Sequence, residues 1–394
     1  MTRSFPPFQA RSPRRWFLVL PARLGVIATA AAAISGGVPC GTHRAAAAEP
    51  AAVQEAIGRG ISYLADKGQA ADGSFSATAG PAVTALVVAS LAKSGAPVDS
   101  AVVRKGLDHL LSFRRDTGGI HTEESSIGNY ETAIALLALA ACNKDGRFDT
   151  AIEGAEAFLK GLQWDESEGL TPADVNYGGA GYGSKGRPDL SNTAFLIEAL
   201  RNAGADADDP AIQRALVFVS RTQNLPGPHN ELPHPEKNPD GGFYYTPANG
   251  GDSMAGKTPE GGLRSYASMT YAGLKSMVFA GLDKDDPRVR AALEWLAKHY
   301  TFDENPGMGD SGLFYYYHTM AKALDVLGDE TFTDAKGAVH HWRDELADAV
   351  ITRQQPDGSW VNTNARWMEN DPNLVTAYAL MALAYTHPEP GAAR

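Results

Sequence analysis

The sequence predicts an all-α protein: an (α/α)6 toroid, or barrel, of six helical hairpins, preceded by a cleavable export signal. Two observations carry this expectation. One pattern recurs six times beyond residue 50, and the two helices within each copy differ in kind. Each copy is an amphipathic helix, a loop bearing Gly and a bulky apolar residue, and a helix apolar nearly all round.

The loops carry Asp72-Gly73-Ser74-Phe75, Gly118-Gly119-Ile120, Asn176-Tyr177-Gly178-Gly179, Asp240-Gly241-Gly242-Phe243, Asp310-Ser311-Gly312-Leu313-Phe314 and Asp357-Gly358-Ser359-Trp360. The apolar helix that follows aligns on Thr84, Thr132, Thr193, Thr270, Tyr317 and Thr376. Seven residues on stand Leu91, Leu139, Leu200, Met277, Leu324 and Leu383. Ala133 to Cys142 holds no charge, which suits a helix buried on every side. Ala291 to Lys298 alternates faces, as a surface helix does. Two layers follow, with inner helices expected at 82–95, 130–142, 191–204, 266–281, 312–328 and 373–386. A ring of six hairpins closes without end caps, whereas an open array needs them.

Composition narrows the partners. The chain has 394 residues, 43% of them hydrophobic, which is ample for a core. Residues 1–48 hold six Arg and no acid; removing those six leaves 29 basic against 46 acidic residues, a net charge of −17. So acidic a surface argues against nucleic acid and anionic lipid as partners. Arg14-Arg15-Trp16-Phe17-Leu18 matches the twin-arginine pattern, a short uncharged stretch runs from Leu24 to Gly37, and Ala45 to Ala48 offers a cleavage site. Residues 1–48 are therefore expected to be a twin-arginine-type signal peptide, and 49–394 the toroid domain. That implies a periplasmic or extracellular protein with no stable membrane insertion after cleavage. Of the two cysteines, Cys40 falls in the leader and Cys142 in an apolar helix run.

Gln355-Pro356-Asp357-Gly358-Ser359-Trp360 matches the Q-x-x-G-x-W repeat of squalene and squalene-hopene cyclases, with weaker versions in the earlier loops. The chain thus resembles the terpenoid cyclase and protein prenyltransferase superfamily, which includes the squalene oxidase repeat proteins. The resemblance implies six hairpins around a central cavity. Cyclases carry D-x-D-D-T-A, whose buried Asp protonates an alkene. The matching run here is Asp189-Leu190-Ser191-Asn192-Thr193-Ala194, in which Ser191 and Asn192 replace the second and third Asp. True D-x-D-D runs at Asp206–Asp209 and Asp283–Asp286 precede Pro210 and Pro287, and read as helix caps. Tyr317-His318-Thr319 matches a zinc motif of the prenyltransferases, but Arg264 and Tyr266 stand where its Asp and Cys should be. No metal and no cofactor is expected.

Every outer-to-inner loop lies at one end of the ring, and two are long: Asp165–Asp189 and Gln223–Ser265. Long loops of this kind form lids and binding surfaces. The candidate site is placed there, with His318 and Asp310 as proton-handling groups. Tyr315, Tyr317, Arg264, Tyr266, Tyr130, Glu131, Ser191, Asn192 and Trp367 are expected in its wall. Glu131 doubles as a charge favourable to a helix start, and Arg264 is expected to bind an anionic group or pair with Asp252. The expected function is to bind or convert an apolar isoprenoid- or hopanoid-like ligand; any catalysis would be cyclase- or isomerase-like. The alternative is a non-catalytic structural or interaction module of the cell envelope.

Overall fold

A computed structural model describes residues 50–183 and 185–387. The leader, with its twin-arginine motif and Cys40, lies outside the described residues. Among those described, six outer helices alternate with six inner ones. The outer layer is α1 (Pro50–Tyr63), α3 (Ala101–Leu111), α5 (Asp149–Leu162), α7 (Pro210–Arg221), α10 (Pro287–Lys298) and α12 (Trp342–Ile351). The inner layer is α2 (Pro81–Lys93), α4 (Gly128–Cys142), α6 (Leu190–Asn202), α9 (Ala267–Phe279), α11 (Leu313–Leu327) and α13 (Pro372–Thr386). A short α8 (Pro233–Lys237) lies in the second long loop.

Burial separates the layers as the sequence pattern requires. Every residue of α2 from Pro81 to Leu91 is buried. Its outer neighbour α3 buries only Val103, Gly106, Leu107 and Leu110, a single stripe at helical spacing. The inner helices pack in order around the ring, and α13 packs back on α2, so the array is closed. A two-stranded hairpin, β1 (Phe332–Thr333) with β2 (Val339–His340), precedes α12. It places His340 and His341 just before this outer helix. Cys142 is buried in α4, and burial pushes its thiol up to about 11.

The repeat has a physical explanation at three positions. The aligned threonine reaches back to the loop: Thr84, Thr132, Thr193, Thr270 and Thr376 accept from the amides of Phe75, Ile120, Ala180, Phe243 and Trp360 at 2.9–3.1 Å. A glutamine before the loop ties it to the next outer helix, as Gln69 donates to Gly73 and Val102 carbonyls at 3.2 and 2.8 Å. In the last repeat Gln354 does this, bonding the Gly358 and Ala56 carbonyls, while the motif-matching Gln355 only reaches Arg353. The loop glycine must be glycine. Gly358 has φ +93, and a Cβ there would strike the Arg59 carbonyl of α1. That contact joins the last repeat to the first.

Each of the two D-x-D-D runs ends in a helix cap, as expected. Asp209 and Asp286 cap α7 and α10, accepting from the Ala211 and Arg288 amides at 2.8 and 2.9 Å.

Candidate functional site

A cavity of about 680 Å³ opens at the end of the toroid where the inner helices begin. Six residues set its girth, one per inner helix: Ala82, Tyr130, Ser191, Ser268, Tyr315 and Leu374. Each stands two residues before the aligned Thr or Tyr of its repeat, so one register position faces the axis all round. The loops complete the wall. Tyr182 comes from the first long loop, Tyr245 and Met254 from the second, and Trp367 from the segment before α13.

Aromatic rings form an arc within this wall. Tyr130 meets Phe195 edge-on at 5.6 Å, Phe195 lies 6.4 Å from Tyr315, and Tyr315 meets Tyr378 edge-on at 5.8 Å. Such faces suit an apolar ligand and attract positive charge.

Three buried carboxyl groups border the cavity or its entrance, and burial raises the pKa of each. Two are engaged as helix caps. Asp189 accepts from Ser191 Oγ at 2.6 Å, Asn192 N at 2.9 Å and Asn192 Nδ2 at 2.7 Å. Glu369 accepts from the Tyr315 amide at 2.8 Å and Asn362 Nδ2 at 2.7 Å. Glu131 differs. It is 2% exposed, lines the cavity, and its Oε2 makes no hydrogen bond. Burial holds it toward the neutral acid, with Ser125 and the Thr122 amide opposing. A carboxyl group whose protonated form burial favours, with a free oxygen, can serve as a proton donor.

Of the residues singled out in the sequence, Tyr130, Glu131, Ser191, Tyr266, Tyr315 and Trp367 line the cavity. Five others do not. Asn192 spends its amide on Asp189. Arg264 is exposed and donates to the Lys257 carbonyl at 3.0 Å, and Asp252 pairs instead with Arg187 at 3.4 Å. Asp310 is exposed, with its carbonyl held by Asn362 at 2.7 Å. Tyr317 turns outward into a cluster with Phe302, Phe314 and Tyr316, its hydroxyl donating to the Phe302 carbonyl. His318 sits below the cavity, its ring stacked on Tyr378 at 5.7 Å. Burial, reinforced by Lys275 and Lys322 and only partly opposed by Glu198, lowers its pKa to about 3. It is a neutral imidazole near pH 7, not a tunable acid.

The sequence reading missed the charged floor. Glu198 on α6 forms ion pairs with Lys275 on α9 and Lys322 on α11, all three buried. Burial alone would raise the Glu198 pKa, yet the two ammonium groups hold it well below the ordinary carboxylate range. The signal was present. Each of the three lies five residues after the aligned Thr or Tyr, and each is a charge inside an otherwise apolar helix. The reading also missed Phe195, Tyr182, Tyr245, Tyr378 and Glu369 in the wall. Among the described residues no group of three or more His, Cys, Asp or Glu is placed to hold a metal.

Residues 75–246 match the family described as the squalene-hopene cyclase C-terminal domain. A solved structure of a type II terpene cyclase variant, MstE from Scytonema, in complex with the substrate geranylgeranyl dihydroxybenzoate, superposes with a TM-score of 0.51 at 14% identity. The match covers 85% of this chain and 97% of that one. This chain shares the α/α-toroid fold of that cyclase. The apo form of the same cyclase matches at a TM-score of 0.49 and 17% identity, over 85% and 98% of the two chains. A glycosidase in complex with glucose matches at 0.45 and 13%, over 85% and 97%. Comparison with curated proteins finds no match. At such identities the likeness concerns the toroid, and the chemistry of this chain is read from its own cavity.

Proposed function

We propose that this protein binds an apolar, isoprenoid-like molecule in the toroid cavity, and that Glu131 is the acid positioned to protonate it. The observation that carries the reading is a buried carboxyl group with an unpartnered oxygen, set in an aromatic-walled cavity of ligand size. The terpene cyclase neighbour, whose substrate carries a geranylgeranyl chain, supports the ligand class. The cyclase acid position is Ser191 here, and serine cannot protonate an alkene. Glu131 faces the same space from the preceding inner helix.

In the step proposed, Glu131 Oε2 gives its proton to one carbon of a C=C bond and becomes a carboxylate. The other carbon takes the positive charge, facing the rings of Tyr130, Phe195, Tyr315 and Tyr378. Loss of a neighbouring proton back to Glu131 restores the acid and leaves a shifted double bond, or a new ring where a second alkene attacks first. The reading extends to place. The Arg14-Arg15 leader would export the chain, and Lys at both positions should abolish that export.

The test is incubation of the purified protein with a total lipid extract, followed by mass spectrometry of what is retained. An apolar polyene held near one per chain supports the proposal; retention of nothing, or of polar compounds alone, contradicts it. Glu131→Gln should retain the polyene and lose its conversion.

A further inference from the structure

We infer that the ligand is an isoprenoid acid, its carboxylate seated at the cavity floor between Lys275 and His318 and its apolar body in the aromatic layer above. This rests on the cavity being an isoprenoid-type site and narrows the ligand to an anionic amphiphile.

The floor is short of negative charge. One carboxylate, Glu198, serves two ammonium groups, so the buried triad carries one positive charge in excess. Lys93 adds to the positive field at His318. The nearby Arg343 is already matched to Asp325 at 2.9 Å. Buried charges without partners are costly. Within the triad the burden falls on Lys275. Lys322 has Tyr385 as a second acceptor, whereas Lys275 bonds Glu198 and has two further N–H groups to offer.

The place offers donors to a head group. A narrow crevice continues the cavity downward; Ser191, Phe195 and Tyr315 border both spaces, while Lys275, His318 and Thr319 line the crevice. His318 is 4% exposed and its Nδ1 has no hydrogen-bond partner. A neutral imidazole with a proton on Nδ1 and an ammonium together present two donors to one carboxylate. The crevice is closed, with no free space for even a water, so seating the head group requires the Phe195 and Tyr315 rings to part on binding.

Burial also pulls the Lys275 pKa down, with Lys322 adding to the effect and Glu198 opposing it. An incoming carboxylate would offset that cost with its opposite charge. The same charge arrangement disfavours a cationic head. A ligand alcohol would leave the excess charge uncompensated.

The experiment compares three probes of equal chain length: geranylgeranoic acid, geranylgeraniol and geranylgeranylamine. The expected order on the wild-type protein is acid tighter than alcohol by about tenfold, and amine weakest. In Lys275→Met the acid should bind no better than the alcohol, with alcohol affinity kept within about twofold. Removal of Lys275 leaves a neutral Glu198–Lys322 pair, so the variant should melt no lower than wild type. Equal wild-type affinities for acid and alcohol overturn the inference, as does a preference that survives in Lys275→Met. Should that variant not fold, the wild-type acid-alcohol-amine order decides. Failure of all three probes to bind would overturn the isoprenoid reading as well; alcohol bound as well as acid overturns only the head-group assignment.

Discussion

Gly80 supports Glu131: a Cβ at position 80 would collide with Glu131 Oε1, and the backbone there has φ +71. The residue before α2 thus leaves room for Glu131, a buried cavity carboxyl with a free oxygen, on α4. Gly80→Ala would meet both the left-handed backbone and the carboxyl. A loss of roughly 1–3 kcal/mol is expected, measured by chemical unfolding. A neutral result would mean that Glu131 is free to move, and would remove the argument for its preset position.

Glu131→Gln tests the protonation state. A folded-state pKa raised by burial contributes stability below the ordinary carboxylate range, and that contribution is lost as pH rises through the folded value. The glutamine stays neutral throughout. Wild type and variant should therefore be nearly equal in stability at about pH 4, with the variant the more stable at about pH 8. Melting temperatures across that span measure the difference. Parallel curves would show that Glu131 is not desolvated.

His318 carries the opposite sign. Its pKa is lowered from 6.5 to about 3 in the folded protein, so the unfolded chain takes up the proton first as pH falls. The stability lost on acidification from this residue is about 1.4 kcal/mol per pH unit through the middle of that window. His318→Phe removes the term while keeping a ring against Tyr378. Denaturation at successive pH values should give a shallower acid slope for the variant, and an unchanged slope would place a charged His318 in the native state.

Tyr317→Ala should behave as a core truncation. The ring is fully buried among Phe302, Phe314 and Tyr316 and does not line the cavity. A loss of roughly 3–5 kcal/mol is expected from such a change. Where the variant still folds, retention of a cavity ligand should be unaffected. Lost retention at unchanged stability would return Tyr317 to the site.

Much of the ring was legible because its repeat has local causes. The Thr84 hydroxyl meets Phe75 within one loop, and the same pair recurs at Thr132, Thr193, Thr270 and Thr376. Inner helices expected from residues 82 and 191 begin at Pro81 and Leu190. Side-chain direction was harder. Tyr315 and Tyr317 both read as wall residues, yet two positions apart on a helix is roughly 200°, so they face opposite ways. Glu131, Phe195 and Tyr378 join the wall from other positions, and the position two before the aligned residue lines the cavity in every repeat. Applied to every repeat, that rule selects Tyr130, Ser191 and Tyr315 and rejects Asn192 and Tyr317. The Glu198 triad was hidden for another reason: its members are 77 and 124 residues apart, and only closure of the ring makes them neighbours.

The most direct test of the account is retention of lipid by wild type and by Ala82→Phe, compared by mass spectrometry after exposure to the same extract. Ala82 lines the cavity, so a benzyl group there occupies ligand space while the inner helices keep their register. The account expects a polyene bound near one per chain to wild type and at most about a tenth of that to the variant, with both proteins folded. Equal retention by the two, or none by wild type, would contradict it.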